Sequence, residues 1–102
     1  MSDLPPDDGH FEEPEIERAS LLTFPTVFPI KIMGRREDAF AQTMTDIVLR
    51  HAPDFSPATL EMRTSKNGRY LSLTATINAK SREQLDALYS ELSKHPLVLM
   101  AL

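Results

Sequence analysis

The sequence predicts an α+β fold of order βαββαβ, and three observations carry that prediction. Two stretches, near residues 38–52 and 81–94, repeat apolar residues at helical spacing and are followed by Pro53 and Pro96. Four runs, near 26–34, 58–65, 69–79 and 97–102, have the β-branched or alternating character of strands. Between the second and third runs stands Asn67-Gly68, the dipeptide of tight hairpins.

The first strand, Thr26–Met33, places Phe28, Ile30 and Ile32 on one face, and Gly34 ends it. Pro29 has no N–H to donate, which is awkward if the strand is central and leaves room for a bulge there. The first helix aligns Phe40, Met44, Ile47 and Val48 and stops before Pro53. In the hairpin, Lys66 and Arg69 would flank a two-residue turn whose central positions both need positive φ. Opposed residue numbers then sum to 135. That register sets Met62 against Leu73 and Leu60 against Ala75 on one face, which is expected to lie under the helices. Glu61 meets Thr74 and Arg63 meets Ser72 on the other. A slip of one residue would destroy the match.

Ser81 can cap the second helix with Gln84 three residues on, the pattern of a capping box, and Leu85, Leu88, Tyr89 and Leu92 form its apolar stripe. Leu97–Leu102 is the last strand. Short connections and right-handed crossovers make this order a ferredoxin-like sandwich: one four-stranded antiparallel sheet, order 4-1-3-2, with two helices on one face.

Composition bounds the function. The chain has 102 residues, one domain's worth, and 41% of them are hydrophobic. It has no Cys, which excludes disulfides, thiolate metal sites and a cysteine nucleophile. No apolar run is long enough to span a bilayer, and the N-terminus does not read as a secretory signal, so the cytoplasm is expected. Residues 1–18 hold seven carboxylates against Arg18 alone, net −6 in a chain of −4, which leaves +2 for residues 19–102. With Pro5, Pro6, Gly9 and Pro14, this head reads as a disordered acidic tail preceding a single domain at 19–102. It would serve to solubilise, or alternatively to mimic an anionic partner.

The residues also resemble a known family. Leu22-Thr23-Phe24-Pro25-Thr26, Lys31-Ile32-Met33-Gly34 and Arg50-His51-Ala52-Pro53 recur in the YbeD-like family of small bacterial proteins. So do Ser65, Gly68, Tyr70, Ile77-Asn78-Ala79, Leu88-Tyr89, Glu91-Leu92, Val98, Met100 and Leu102. The resemblance covers about residues 20–102. It implies a ferredoxin-like fold similar to ACT-type regulatory domains, which bind small effectors such as amino acids and control attached or partner enzymes. It brings no catalytic residue, cofactor or metal.

The residues themselves argue against catalysis, which needs a nucleophile, a base and an orienting group together. His10 lies in the acidic head. His51 and His95 end different helices at opposite ends of the domain, where each would favour its helix dipole and cap carbonyls. Nucleic-acid binding is also disfavoured: the outer face of the third strand reads Tyr70, Ser72, Thr74, Thr76 and Asn78, a single aromatic where RNA-recognition sheets need several.

Topology nevertheless gathers Gly34, Arg35, Arg36, Lys66, Arg69, Lys94 and His95 at one end, a candidate site for a small anionic or amino-acid-like effector. It matches the strand 1–helix 1 loop where ACT-type domains hold effectors, although solvated loop charge would cluster in the same way. Asp54, Lys80 and Arg82 fall at the other end. The last strand, with Leu97, Val98, Leu99 and Met100, is an uncharged sheet edge. Either Leu97 and Leu99 or Val98 and Met100 should face outward, and the edge is expected to pair with a second copy in a homodimer, or else to be covered by Leu21–Phe24. The function expected is a non-enzymatic regulatory or ligand-binding module, with an adaptor working through its sheet edges as the alternative.

Overall fold

The computed structural model describes residues 23–102. The acidic head expected at 1–18, and any cover provided by Leu21 and Leu22, lie outside the described residues. Strand β1 runs Thr26–Arg35, helix α1 Phe40–His51, β2 Glu61–Thr64, β3 Tyr70–Ala79, α2 Arg82–Lys94 and β4 Val98–Ala101. The sheet order is β2-β3-β1-β4 and every pairing is antiparallel, the expected ferredoxin-like topology. No helix among the described residues is long and apolar enough to cross a membrane.

Strict alternation along β1 buries Phe28, Ile30, Ile32 and Gly34 beneath the helices and exposes the residues between them. The ladder to β3 is continuous from Thr26↔Ala79 to Arg35↔Tyr70, so the strand is central and Pro29 makes no bulge in it. Lys31 exchanges both backbone hydrogen bonds with Leu102, on the β4 side. Backbone groups two residues apart point the same way. The missing N–H of Pro29 is therefore turned away from β3 and costs that ladder nothing.

Helix α1 begins at Phe40, two residues later than expected, after a turn in which Phe40 N donates to Glu37 O over 3.0 Å. Its Phe40, Met44, Ile47 and Val48 meet Leu85, Leu88 and Leu92 of α2 and the inner faces of β1 and β3 in one core. Half of the expected capping box forms: Ser81 Oγ accepts from Gln84 N at 3.1 Å, but Gln84 Oε1 accepts from the N–H of Lys80, one residue before the cap, at 2.6 Å. The Gln84 amide also donates to His51 O at 2.8 Å, tying the start of α2 to the end of α1.

β2 is shorter than expected. A 3-10 turn, Pro57–Thr59, occupies its beginning, and Leu60 packs on the core instead of pairing with Ala75. The register itself is the expected one, with Glu61↔Thr74, Met62↔Leu73 and Arg63↔Ser72. Cover is not. Leu73 is fully buried, whereas Met62 beside it is 57% exposed. Helix α2 lies against β3 and β4, and β2 sits at the far edge beyond that cover.

The hairpin differs from expectation in size but not in register. Ser65 N donates to Tyr70 O at 3.0 Å, which closes a four-residue loop, 66–69, on a pair whose numbers still sum to 135. Gly68 N bonds Ser65 O, and Gly68 takes φ 75°. Asn67 Oδ1 accepts from Arg69 N and from Ser65 Oγ, and Ser65 Oγ accepts from Tyr70 N. Those three side-chain bonds favour the longer loop over a two-residue turn.

Strand β4 breaks its expected alternation. It opposes Ala101 to Ile32 and Met100 to Met33, then Val98 to Gly34, so Leu99 is the extra residue of a bulge. Leu97 and Val98 pack on the core, whereas Leu99 and Met100 are both exposed. Neither of the two alternating pairs expected to face outward does so as a pair.

Candidate functional site

The C-terminal end of β1 and the 66–69 loop form one end of the domain. Arg36 N donates to Arg69 O at 2.8 Å, which holds the loop against the β1 exit. Arg35 stands directly opposite Tyr70 on the helix-free face of the sheet. Between them opens a cavity of about 450 Å³ lined by Arg35, Arg36, Glu37, Gly68, Arg69 and Tyr70. Gly68 serves the site by what it lacks: a Cβ there would stand 3.3 Å from Arg36 Nη1. The ion pairs among the described residues are Arg50–Glu91, His51–Glu91, Lys80–Asp54 and Arg82–Asp86, so none of the three cavity arginines is neutralised by a described carboxylate. Unpaired guanidiniums that converge from two chain segments can clamp a carboxylate or phosphate through paired N–H groups.

The other expected site residues have different placements. Gly34 is buried, and its bare Cα lets Leu97 O and the Phe40 ring close over it: an added Cβ would meet both at 2.4 Å. That is a packing position. Lys66 and Lys94 do not line the cavity. His95 Nδ1 accepts a hydrogen bond from Leu97 N at 3.1 Å, so the side chain is engaged in shaping the turn into β4 and does not line the cavity.

Continuing down the helix-free face from Tyr70 is a second concavity of about 280 Å³. It is lined by Met33 of β1, by Arg63, Thr64 and Ser65 at the end of β2, and by Tyr70, Leu71 and Ser72 of β3. Tyr70 thus borders both spaces. Met100 extends the apolar surface, since it pairs with Met33 and is 47% exposed. Tyr70, Gly68 and Glu37 were absent from the site expected on sequence grounds. The β1–β3 register that sets Arg35 against Tyr70 is the signal that places Tyr70 there.

A second polar cluster joins the helices. Glu91 of α2 accepts from Arg50 through Oε2 and from His51 Nε2 through Oε1 at 2.7 Å. A carboxylate only accepts, so Nε2 carries a proton. Burial, and secondarily the Arg50 charge, hold the His51 pKa below the ordinary 6.5. His51 therefore ties α1 to α2, in place of the carbonyl cap expected of it. At this end of α1, Lys80 Nζ lies 3.1 Å from Asp54, and its hydrogen bond lowers the Asp54 pKa.

The family described as "Protein of unknown function (DUF493)" matches residues 19–102. A UPF0250 protein of Bordetella pertussis is 47% identical over 102 residues, the whole of both chains. A UPF0250 protein of Nitrosomonas europaea is 55% identical over 83 residues, 81% of this chain and 95% of its own. Among solved structures, the solution structure of an H. pylori protein superposes with a TM-score of 0.65 at 14% identity, over 96% of this chain and 97% of that one. The ACT domain from the GTP pyrophosphokinase of Chlorobium tepidum gives a TM-score of 0.51 at 22% identity, over 76% of this chain and 97% of that one. At these identities the two structures share a fold with this protein.

Proposed function

Starting from the premise that the chain belongs to the DUF493 family and has an ACT-like fold, we propose that it is a regulatory module that binds a small anionic effector in the arginine cavity. The observation that carries this reading is the convergence of Arg35, Arg36 and Arg69, unpaired among the described residues, around a space of about 450 Å³. Glu37 on the rim gives an ammonium group a partner, so an amino-acid-like effector also suits the site. Support from fold alone would be weak, because folds host many functions. A charged cavity at the β1–α1 loop is a property of the site.

The reading is non-enzymatic. His51–Glu91 is the histidine–carboxylate pair among the described residues, and Arg50 occupies the other oxygen of that carboxylate. This makes it a tie between helices and not half of an acid–base pair. The test is a chemical-shift titration of the full chain with phosphate, sulfate, acetate and amino acids. Shifts are expected at Arg36, Gly68 and Arg69, and they should vanish in Arg35→Glu/Arg36→Glu at an unchanged Tm. Indifference to every anion would overturn the reading.

A second reading rests on β4. Leu99, Met100 and Leu102 are 53%, 47% and 45% exposed along one sheet edge, a surface that suits a second copy of this chain or a partner strand. Sedimentation of the full chain at micromolar concentration distinguishes the two: a dimer favours edge pairing, and a monomer removes it.

A further inference from the structure

We propose that the arginine cavity and the groove beyond Tyr70 are two halves of one site, and that its ligand is a mononucleotide. The proposal rests on the anion reading above and deepens it by naming the ligand class. Tyr70 is the wall the two spaces share, so a molecule with its anionic end among Arg35, Arg36 and Arg69 has its remaining bulk directed along the helix-free face. Met33 lies two residues before Arg35 on β1, about 7 Å along a strand, which is the order of separation between a phosphate and the base on the far side of its ribose.

The groove's chemistry selects among amphipathic anions. Tyr70 and Met33, 38% and 39% exposed, offer a ring face and a polarisable sulfur, which suit a flat aromatic body. Around them stand the Ser72 hydroxyl and the Arg63 guanidinium, a cross-strand pair on the same face, neither with an ion pair or side-chain hydrogen bond among the described residues. A nucleobase has edge donors and acceptors for these groups, whereas an alkyl chain would cover them and leave them unpaired. One aromatic also fits one base. It is too little for the successive stacking on which single-stranded RNA depends.

The experiment is calorimetric titration of the full chain with pyrophosphate, adenosine diphosphate, guanosine diphosphate, the two nucleosides and a short oligouridine. At least one diphosphate nucleotide is expected to bind about tenfold or more tightly than pyrophosphate, the increment of one stacked base. Tyr70→Ala should remove that increment. Met33→Gln, which changes the groove and not the arginine cavity, should reduce it while pyrophosphate binding stays at the wild-type value. Arg36→Glu should weaken pyrophosphate and nucleotide together. If pyrophosphate binds and no nucleotide binds tighter, the composite site is overturned and the anion reading survives. If nothing binds, both fall. Tighter binding of the oligouridine than of any mononucleotide overturns the proposal in favour of an RNA strand.

Discussion

Replacing Gly34 by Ala sets two effects against each other. Gly34 lies within β1, and its φ is not in the positive region, so Ala can adopt the same backbone. On conformational grounds alone the substitution should stabilise by about 0.4–1 kcal/mol, because the unfolded chain loses freedom. The new Cβ, however, would lie 2.4 Å from Leu97 O and 2.4 Å from Phe40 Cε1, about 1 Å inside ordinary contact. Leu97 O is backbone next to the Val98 that pairs with Gly34, and Phe40 is fully buried, so neither neighbour can step aside cheaply. Overpacking of this kind costs about 1–3 kcal/mol, more if the Phe40 ring is expelled. The clash wins, for a net loss of about 2 kcal/mol and a Tm lower by roughly 10–15 °C in a domain of this size. Urea unfolding of the full chain measures the first and calorimetry the second. In a Phe40→Leu background the cost of Gly34→Ala should fall by about 1 kcal/mol, since one of the two obstacles has gone. A variant within about 0.5 kcal/mol of wild type, or full additivity with Phe40→Leu, would refute the reasoning.

Gly68→Ala should cost about 1–2 kcal/mol, nearly all from its φ of 75°, because the atom it approaches is the mobile end of Arg36; Gly68→Asn should recover part of the loss. Ser81→Ala removes the acceptor for Gln84 N and should lower stability by about 1 kcal/mol in chemical denaturation, with no change at the arginine cavity by chemical shift. Since the folded pKa of His51 lies below its unfolded value, the unfolded state takes up the proton first. The contribution of neutral His51 is then complete above about pH 6.5 and is lost as pH falls toward the lowered folded value. Unfolding curves at pH 7.5 and 5 should therefore converge for His51→Gln relative to wild type, and identical pH slopes would remove the tie as a titrating contact.

What could be read in advance was whatever depends on alternation and spacing along one segment. The pairing of Met62 with Leu73 followed from matched apolar and polar positions, and it held even though the turn was misjudged. Asn67-Gly68 has the chemistry of a two-residue turn, yet the hydrogen bonds of Ser65 and Asn67 with their neighbours close a four-residue loop. Pattern also names the face of a strand without saying whether anything covers it, which is why Met62 points to the helix side and still meets solvent. The bulge at Leu99 is set by pairing with β1, a nonlocal matter. At the candidate site, strand directions were enough to bring Arg35, Arg36 and Arg69 together. They could not show that the His95 ring is engaged by Leu97 N, or that Gly34 is filled by Phe40, because both depend on side-chain packing across elements.

The bare position of β2 has a consequence for motion. This strand is bonded on one side only and lies outside the cover of α2, so its amides should exchange with solvent at a lower opening free energy than those of β1, which is paired on both sides. β2 runs directly into the loop that carries Arg69, whereas Arg35 and Arg36 extend from β1. The two sides of the arginine cavity thus belong to the earliest and the latest parts of the sheet to open. A ligand that bridges Arg69 and Arg36 must hold the loose side to the firm one, so it should slow exchange along β2 well beyond the atoms it touches. Exchange along the hairpin, far from any atom of the ligand, would then report whether the cavity is occupied.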